Sequence, residues 1–114
     1  MKKSGLLIFC IVFLFSCTKD KVGGNLPFPD IICSDTVSFN NEILPLIQNN
    51  CTGCHTNQNG YTFTNHANIS FHSTAIIGSM RNNGYQLMPK GGPALIDSII
   101  QRMECWVKQG KLNN

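Results

Sequence analysis

Between Ile47 and Gly60 the chain reads IQNNCTGCHTNQNG. Two cysteines three apart, with a histidine directly after the second, constrain this chain more than any other feature. On a tight helical turn, residues three apart share a face. The thiols of Cys51 and Cys54 then project side by side, and the imidazole of His55 comes next along the chain. Thr52 and Gly53 are small and leave that face open. The chain has 114 residues, which favours a single domain. Only about eighty of them, from Ile32 to about Leu112, read as a folding unit, and a unit that small buries too little apolar surface to be comfortably stable on side chains alone. It needs a cross-link, a metal or a large apolar prosthetic group.

The residues before Ile32 read differently. MKKSGLLIFCIVFLFSC opens with two lysines and continues with an apolar run, Leu6 to Phe15. A run of about ten residues has the length of a signal-peptide core and is too short to span a bilayer. LFSC matches the pattern of a bacterial lipobox, with Leu14, the small Ser16 and then Cys17. Residues 1–16 are therefore expected to be a lipoprotein signal peptide, with Cys17 as the lipid-bearing residue of the mature chain. An ordinary signal peptide is the alternative. Residues 17–31 contain TKDKVGGNLPFP, whose glycines, prolines and mixed charge suit a flexible tether. Without Lys2 and Lys3 the nine cations become seven against six acids, so the mature chain is near +1. No basic patch invites nucleic acid.

Residues 32–114 are expected to be all-α. Ser38 is a plausible N-cap for a first helix, with Glu42 in its first turn and Phe39, Ile43, Leu44 and Ile47 on one face. Pro45 should kink that helix or shift its start. A second helix spans about Ala67 to Arg81, with Ile69, His72, Ile76 and Met80 near one stripe, Ile77 beside it, and Gly78 weakening it. A third runs from about Pro93 to Gln109, with Pro93 in its first turn and Gly110 as its stop. Its expected apolar face is Leu95, Ile96, Ile99, Met103, Trp106 and Val107. The long loops, rich in Asn, Gly and Ser, need something inside to organise them.

The spacing C-x-x-C-H is the attachment signature of c-type haem. Two thiols three apart can form thioethers with the two vinyl groups of one porphyrin, and the next residue can offer imidazole to the iron. Two other chemistries use the same residues. One is a redox dithiol, which expects a βαβ context that is absent here. The other is half of a zinc site, completed by Cys33 and Cys105 or by His66 and His72.

Three segments together resemble a small class I cytochrome c domain of an exported bacterial lipoprotein. ILPLIQNNCTGCH resembles the first helix of that family running into its haem motif. YQLMPKGGPAL resembles its methionine loop, and IIQRMECWVKQGKLNN its last helix. They span most of Phe39 to Asn114. The resemblance implies a cytochrome c-like fold of three or more helices around one covalent haem c, held by Cys51 and Cys54. It implies His55 and Met88 as the two iron ligands. Met88 lies in a Gly- and Pro-rich loop, and its neutral thioether favours ferrous iron. Met80, Met103, His66 and His72 are the rival ligands, and an open position is a further alternative. The aromatic residues Phe39, Tyr61, Phe63, Phe71, Tyr85 and Trp106 read as haem packing and core, with Phe39 and Trp106 as the pair where the first and last helices cross. Arg81 and Lys90 read as solvated, with propionate contacts as the alternative. Cys33 and Cys105 remain after the haem and lipid cysteines are assigned. In an oxidising compartment leftover thiols usually pair. With the first and last helices crossed as the resemblance implies, a Cys33–Cys105 disulfide would close a loop of about seventy residues; free thiols or intermolecular pairing are the alternatives.

The expected function is electron transfer by a membrane-tethered monohaem cytochrome, not an enzyme. Its partners would be redox proteins on the periplasmic or extracytoplasmic side. A haem-based small-ligand sensor with an exchangeable sixth position is the second reading, and a zinc-stabilised, non-redox lipoprotein the third.

Overall fold

Pro45 decides how the first helix begins. The computed structural model describes residues 31–57 and 60–114. The signal peptide, Cys17 and the tether as far as Asp30 lie outside the described residues. Proline has no N–H to donate, and its ring crowds the carbonyl four residues back. Here the chain forms a π-helical turn, Phe39–Ile43, that runs directly into α1, Leu44–Asn50, where Pro45 sits in the first turn. The N–H of Ile43 donates to the Ser38 carbonyl at 3.2 Å, and that of Leu44 to Phe39. Helical turning therefore begins at Phe39, as Ser38 predicts, and what Pro45 shifts is the start of the α-helical part, to Leu44. Ser38 is the cap: its Oγ accepts from the Asn41 N–H at 3.3 Å, while its own N–H donates to Glu42 Oε2 at 2.8 Å. This is a capping box whose carboxylate comes one residue later than usual, as the wider turn requires.

α2 is His66–Arg81, one residue longer than expected because Asn65 caps it, accepting from the Asn68 N–H at 3.0 Å. It ends at Asn82, whose left-handed φ of 52° lets Asn83 donate back to Gly78 at 2.8 Å. α3 is Asp97–Lys108, shorter than expected. Pro93 does not enter it; residues 93–96 are non-helical, and Asp97 complements the dipole in the first turn. The late start changes the buried face. Ile96 is exposed and Ile99 only half-buried, whereas Ile100, Met103, Trp106 and Val107 are buried. Gly110 ends α3 as expected, at φ 94°. Lys111 and Gly110 donate to the Trp106 and Val107 carbonyls at 2.9 and 3.1 Å, which is a Schellman motif.

Among the described residues there are three α-helices and no strand, so the domain is all-α. α3 packs on both α2 and the π-helical turn. Phe39, Ile43 and Ile47 meet Ile69, Ile76, Ile77 and Met80 of α2 and Ile100, Met103 and Trp106 of α3 in one apolar cluster. The Phe39 and Trp106 rings pair as expected, with centroids 5.6 Å apart. His66 completes that group, edge-on to both rings at 4.8 and 5.7 Å. Burying an indole completely, as Trp106 is, removes apolar surface worth about 5 kcal/mol at most. Its Nε1–H donates to the Leu112 carbonyl at 2.8 Å, so the burial leaves no orphaned donor.

Polar contacts fasten the remaining segments. Arg81, expected to be solvated, instead makes a bidentate pair with Glu104 at 2.8 and 2.9 Å and a further bond to Asp97, tying the end of α2 to α3. Glu104 is only 1% exposed while Arg81 keeps an exposed edge, so the carboxylate is the buried end of this pair. Arg102 grips Asp35 at 3.0 and 2.9 Å and Glu42 at 2.7 Å. Cys33 and Cys105 form a disulfide, as expected, across a sequence separation of 72. Together with Lys108 bonding the Ile31 carbonyl, it extends the folded unit one residue before the expected boundary. Asn114 adds to the cap at the N-terminal end of the first helix, beside Ser38, its carbonyl oxygen accepting from the Asn40 N–H at 2.9 Å and its Oδ1 from the Phe39 N–H at 2.9 Å.

Candidate functional site

α1 delivers the C-T-G-C-H segment as one further turn. The Cys51 N–H still donates to Ile47 at 2.8 Å, which carries the helical path past Asn50. The Cys51 carbonyl then accepts from both Cys54 at 3.2 Å and His55 at 3.0 Å. These bonds, from residues three and four further on, close the tight turn expected from the spacing. Thr52 Oγ1 donates to the Gln48 carbonyl at 2.8 Å, which turns that side chain toward α1. Nothing lies within 4 Å of where a Cβ would stand at Gly53.

The two thiols are free and differ in setting. Cys51 is half-buried against the apolar cluster, and Cys54 is exposed. Burial pushes the Cys51 thiol up to about 11, so it stays protonated near neutral pH. That is opposite to the lowered pKa of an attacking redox thiol, and it weighs against the dithiol reading. The zinc reading loses Cys33 and Cys105 to their disulfide and His66 to its bond with the Lys111 carbonyl at 2.8 Å. Among the described residues no group of three or more His, Cys, Asp or Glu side chains converges on a common point.

The loop after His55 holds that residue in place. The His55 carbonyl accepts from the Phe63 N–H at 2.9 Å, folding the intervening loop back on itself. The imidazole then lies 4.9 Å from the Phe63 ring and 6.2 Å, edge-on, from Tyr61. His72 joins this group at 5.0 Å from Tyr61 and 5.8 Å from Phe63. Nδ1 of His55 is buried without a hydrogen-bond partner. An orphaned buried ring nitrogen costs about 1–3 kcal/mol, so this atom calls for a reason beyond packing. Two free thiols on one turn, an oriented imidazole beside them and an aromatic wall behind it fit the donor set of a covalent haem.

Met88 sits apart in sequence and half-buried, in the loop after α2, with its N–H on the Ser79 carbonyl at 3.1 Å. Met80 and Met103 are 3% and 0% exposed, committed to the apolar cluster. His66 is a hydrogen-bonded wall residue and His72 packs among rings, and among the described residues Met88 is the methionine outside the core. The aromatic expectation holds only in part. Phe39, Phe63 and Trp106 are buried, but Phe71 is 83% exposed and Tyr61 and Tyr85 are nearly half exposed. Lys90 is exposed, as expected. Sequence reasoning missed the Arg81–Glu104 pair, because a lone arginine and a lone glutamate 23 residues apart carry no signal of their meeting. It also missed the Asn65 cap, which an asparagine just before the helix could have signalled.

Compared with protein-family models, curated proteins and solved structures, the chain matches none.

Proposed function

We propose that this chain is a membrane-tethered c-type cytochrome that carries single electrons between redox proteins. The observation that carries the reading is the turn Cys51–His55: two unpaired thiols three apart, followed directly by an imidazole held against Phe63 with its Nδ1 buried and without a hydrogen-bond partner. Cys51 and Cys54 would hold one haem through thioether bonds, and His55 and Met88 would ligate its iron. When bound, haem supplies a one-electron ferric–ferrous couple. The chain's part is to hold both ligands still. Phe63 and the turn bonds orient His55, and the backbone tie to Ser79 restrains Met88. The Phe63 and Tyr61 rings shield the imidazole from water. No bond of a substrate changes, so the reading is of a carrier and not an enzyme. Cys17 would carry lipid at an extracytoplasmic bacterial membrane surface, and the tether would keep the domain at high effective concentration near membrane-bound redox partners. No helix among the described residues is long and apolar enough to cross a membrane.

The test is an oxidised and a reduced optical spectrum of protein made with the cytochrome c maturation machinery. The expected result is pigment retained in acidified acetone and a weak far-red band in the ferric state. Pigment extracted by acetone, or protein without iron, ends the reading. Met88→Ala should abolish the far-red band and let the reduced protein bind carbon monoxide at neutral pH. Wild-type protein that binds carbon monoxide readily would favour the ligand-sensing alternative instead.

A further inference from the structure

Gly78 lies inside α2, where glycine is disfavoured. Its use is visible in the ring that rests on it. A Cβ at this position would run into Cδ2 of Tyr85, reaching 2.8 Å from Cε2 and 3.1 Å from the Asn83 carbonyl oxygen. The Tyr85 ring therefore sits directly on bare helix backbone. Two main-chain ties flank it. Upstream, the Asn83 N–H donates to Gly78 at 2.8 Å; downstream, the Met88 N–H donates to Ser79 at 3.1 Å. Both acceptors are among the last carbonyls of the helix, which need partners from outside it.

We propose that Gly78 and Tyr85 form a clamp that positions Met88. The ring seats where only a glycine leaves room, and it holds the loop so that the Met88 backbone stays on Ser79 and its sulfur stays in one place. Neither residue touches iron in this scheme; both act through Met88. The functional consequence rests on the reading of Met88 as an iron ligand, whereas the clamp is a property of the chain itself. Tyr85 is 46% exposed and outside the apolar cluster, so its removal should leave the fold intact.

The experiment compares haem-loaded wild type with Gly78→Ala, Tyr85→Ala and the conservative Tyr85→Phe. Three quantities are measured: amide hydrogen exchange at Met88 against the core amide of Met103 in reduced protein, the ferric far-red band, and carbon monoxide binding to the ferrous form. Gly78→Ala and Tyr85→Ala should raise Met88 exchange by about tenfold or more with Met103 unchanged. They should also weaken the far-red band and admit carbon monoxide, while Tyr85→Phe behaves as wild type. Unchanged Met88 exchange in both variants overturns the clamp, as does a rise that only tracks Met103. Faster exchange with an intact band overturns it too, because the sulfur then keeps its place unaided. A wild type without the band removes the ligand reading instead, and the exchange data still decide the clamp.

Discussion

Deleting the Cys33–Cys105 bridge is expected to destabilise the domain mainly by freeing its unfolded chain. The sequence separation of 72 residues sets the scale. In the chain-entropy account a loop of that length is worth about 4 kcal/mol at 25 °C. A domain of about eighty residues has a total stability of about 4–12 kcal/mol, so the bridge supplies a third of it or more. At about 4–8 °C per kcal/mol the thermal midpoint should fall by about 15–30 °C. The native segment has independent fastenings: Arg102 on Asp35, Gln109 Oε1 accepting from the Val37 N–H at 2.8 Å, and Lys108 on Ile31. It should therefore remain docked in Cys33→Ala/Cys105→Ala protein. The assay is urea and thermal unfolding of that double variant beside wild type, both with the same haem content. The urea slope should rise, because an unbridged unfolded chain exposes more surface. A midpoint unchanged within a few degrees would refute the loop-entropy reasoning. So would a variant that melts early with an unchanged slope and a frayed 31–37 segment.

Other expectations come from single interactions. Arg81→Met leaves the Glu104 carboxylate buried without its bidentate partner and should cost about 3 kcal/mol in chemical denaturation. The double variant Arg81→Met/Glu104→Leu should recover much of that loss, and additive losses would count against a coupled pair. Hydrogen bonding from Arg102 holds Asp35 down at about 2, from an ordinary 3.8. Its folded pKa is the lower one, so its stabilisation is present above about pH 4 and disappears as pH falls toward about 2; Arg102→Gln should flatten the stability profile in that window. Cys51, at about 11 against an ordinary 9.0, should carry about a hundredfold less thiolate than an ordinary cysteine at pH 8. In haem-free protein, iodoacetamide should therefore label Cys54 well before Cys51, and equal labelling rates would contradict the burial assigned to Cys51.

Local features were legible where one residue type had few physical options. Ser38 and Gly110 marked helix ends because a hydroxyl before a helix and a glycine after it answer unpaired backbone groups. That Cys51, Cys54 and His55 share one turn was legible because their spacing alone puts them there, and the turn bonds agree. Leftover cysteines pointed to each other by elimination, and the disulfide joins them. The third helix was misread at its start. Pro93 suits a first turn in any helix, and nothing local showed that the helix would wait until Asp97. Its buried face was misjudged with it, Ile96 ending up 65% exposed.

Pairings across the chain belonged to the tertiary structure. The pattern of apolar residues made three helices necessary, because each stripe has to be covered by another. It did not say that Arg81 would turn inward to Glu104, or that His66 would stand edge-on against both Phe39 and Trp106. Those contacts depend on which faces meet and at what angle, and short-range spacing carries no information about either. The turn from Cys51 to His55 needs only its own backbone bonds to form. The placement of Met88 needs α2 to end at Asn82 and the Tyr85 ring to settle over Gly78, so it exists only once the loop has folded back on the end of that helix.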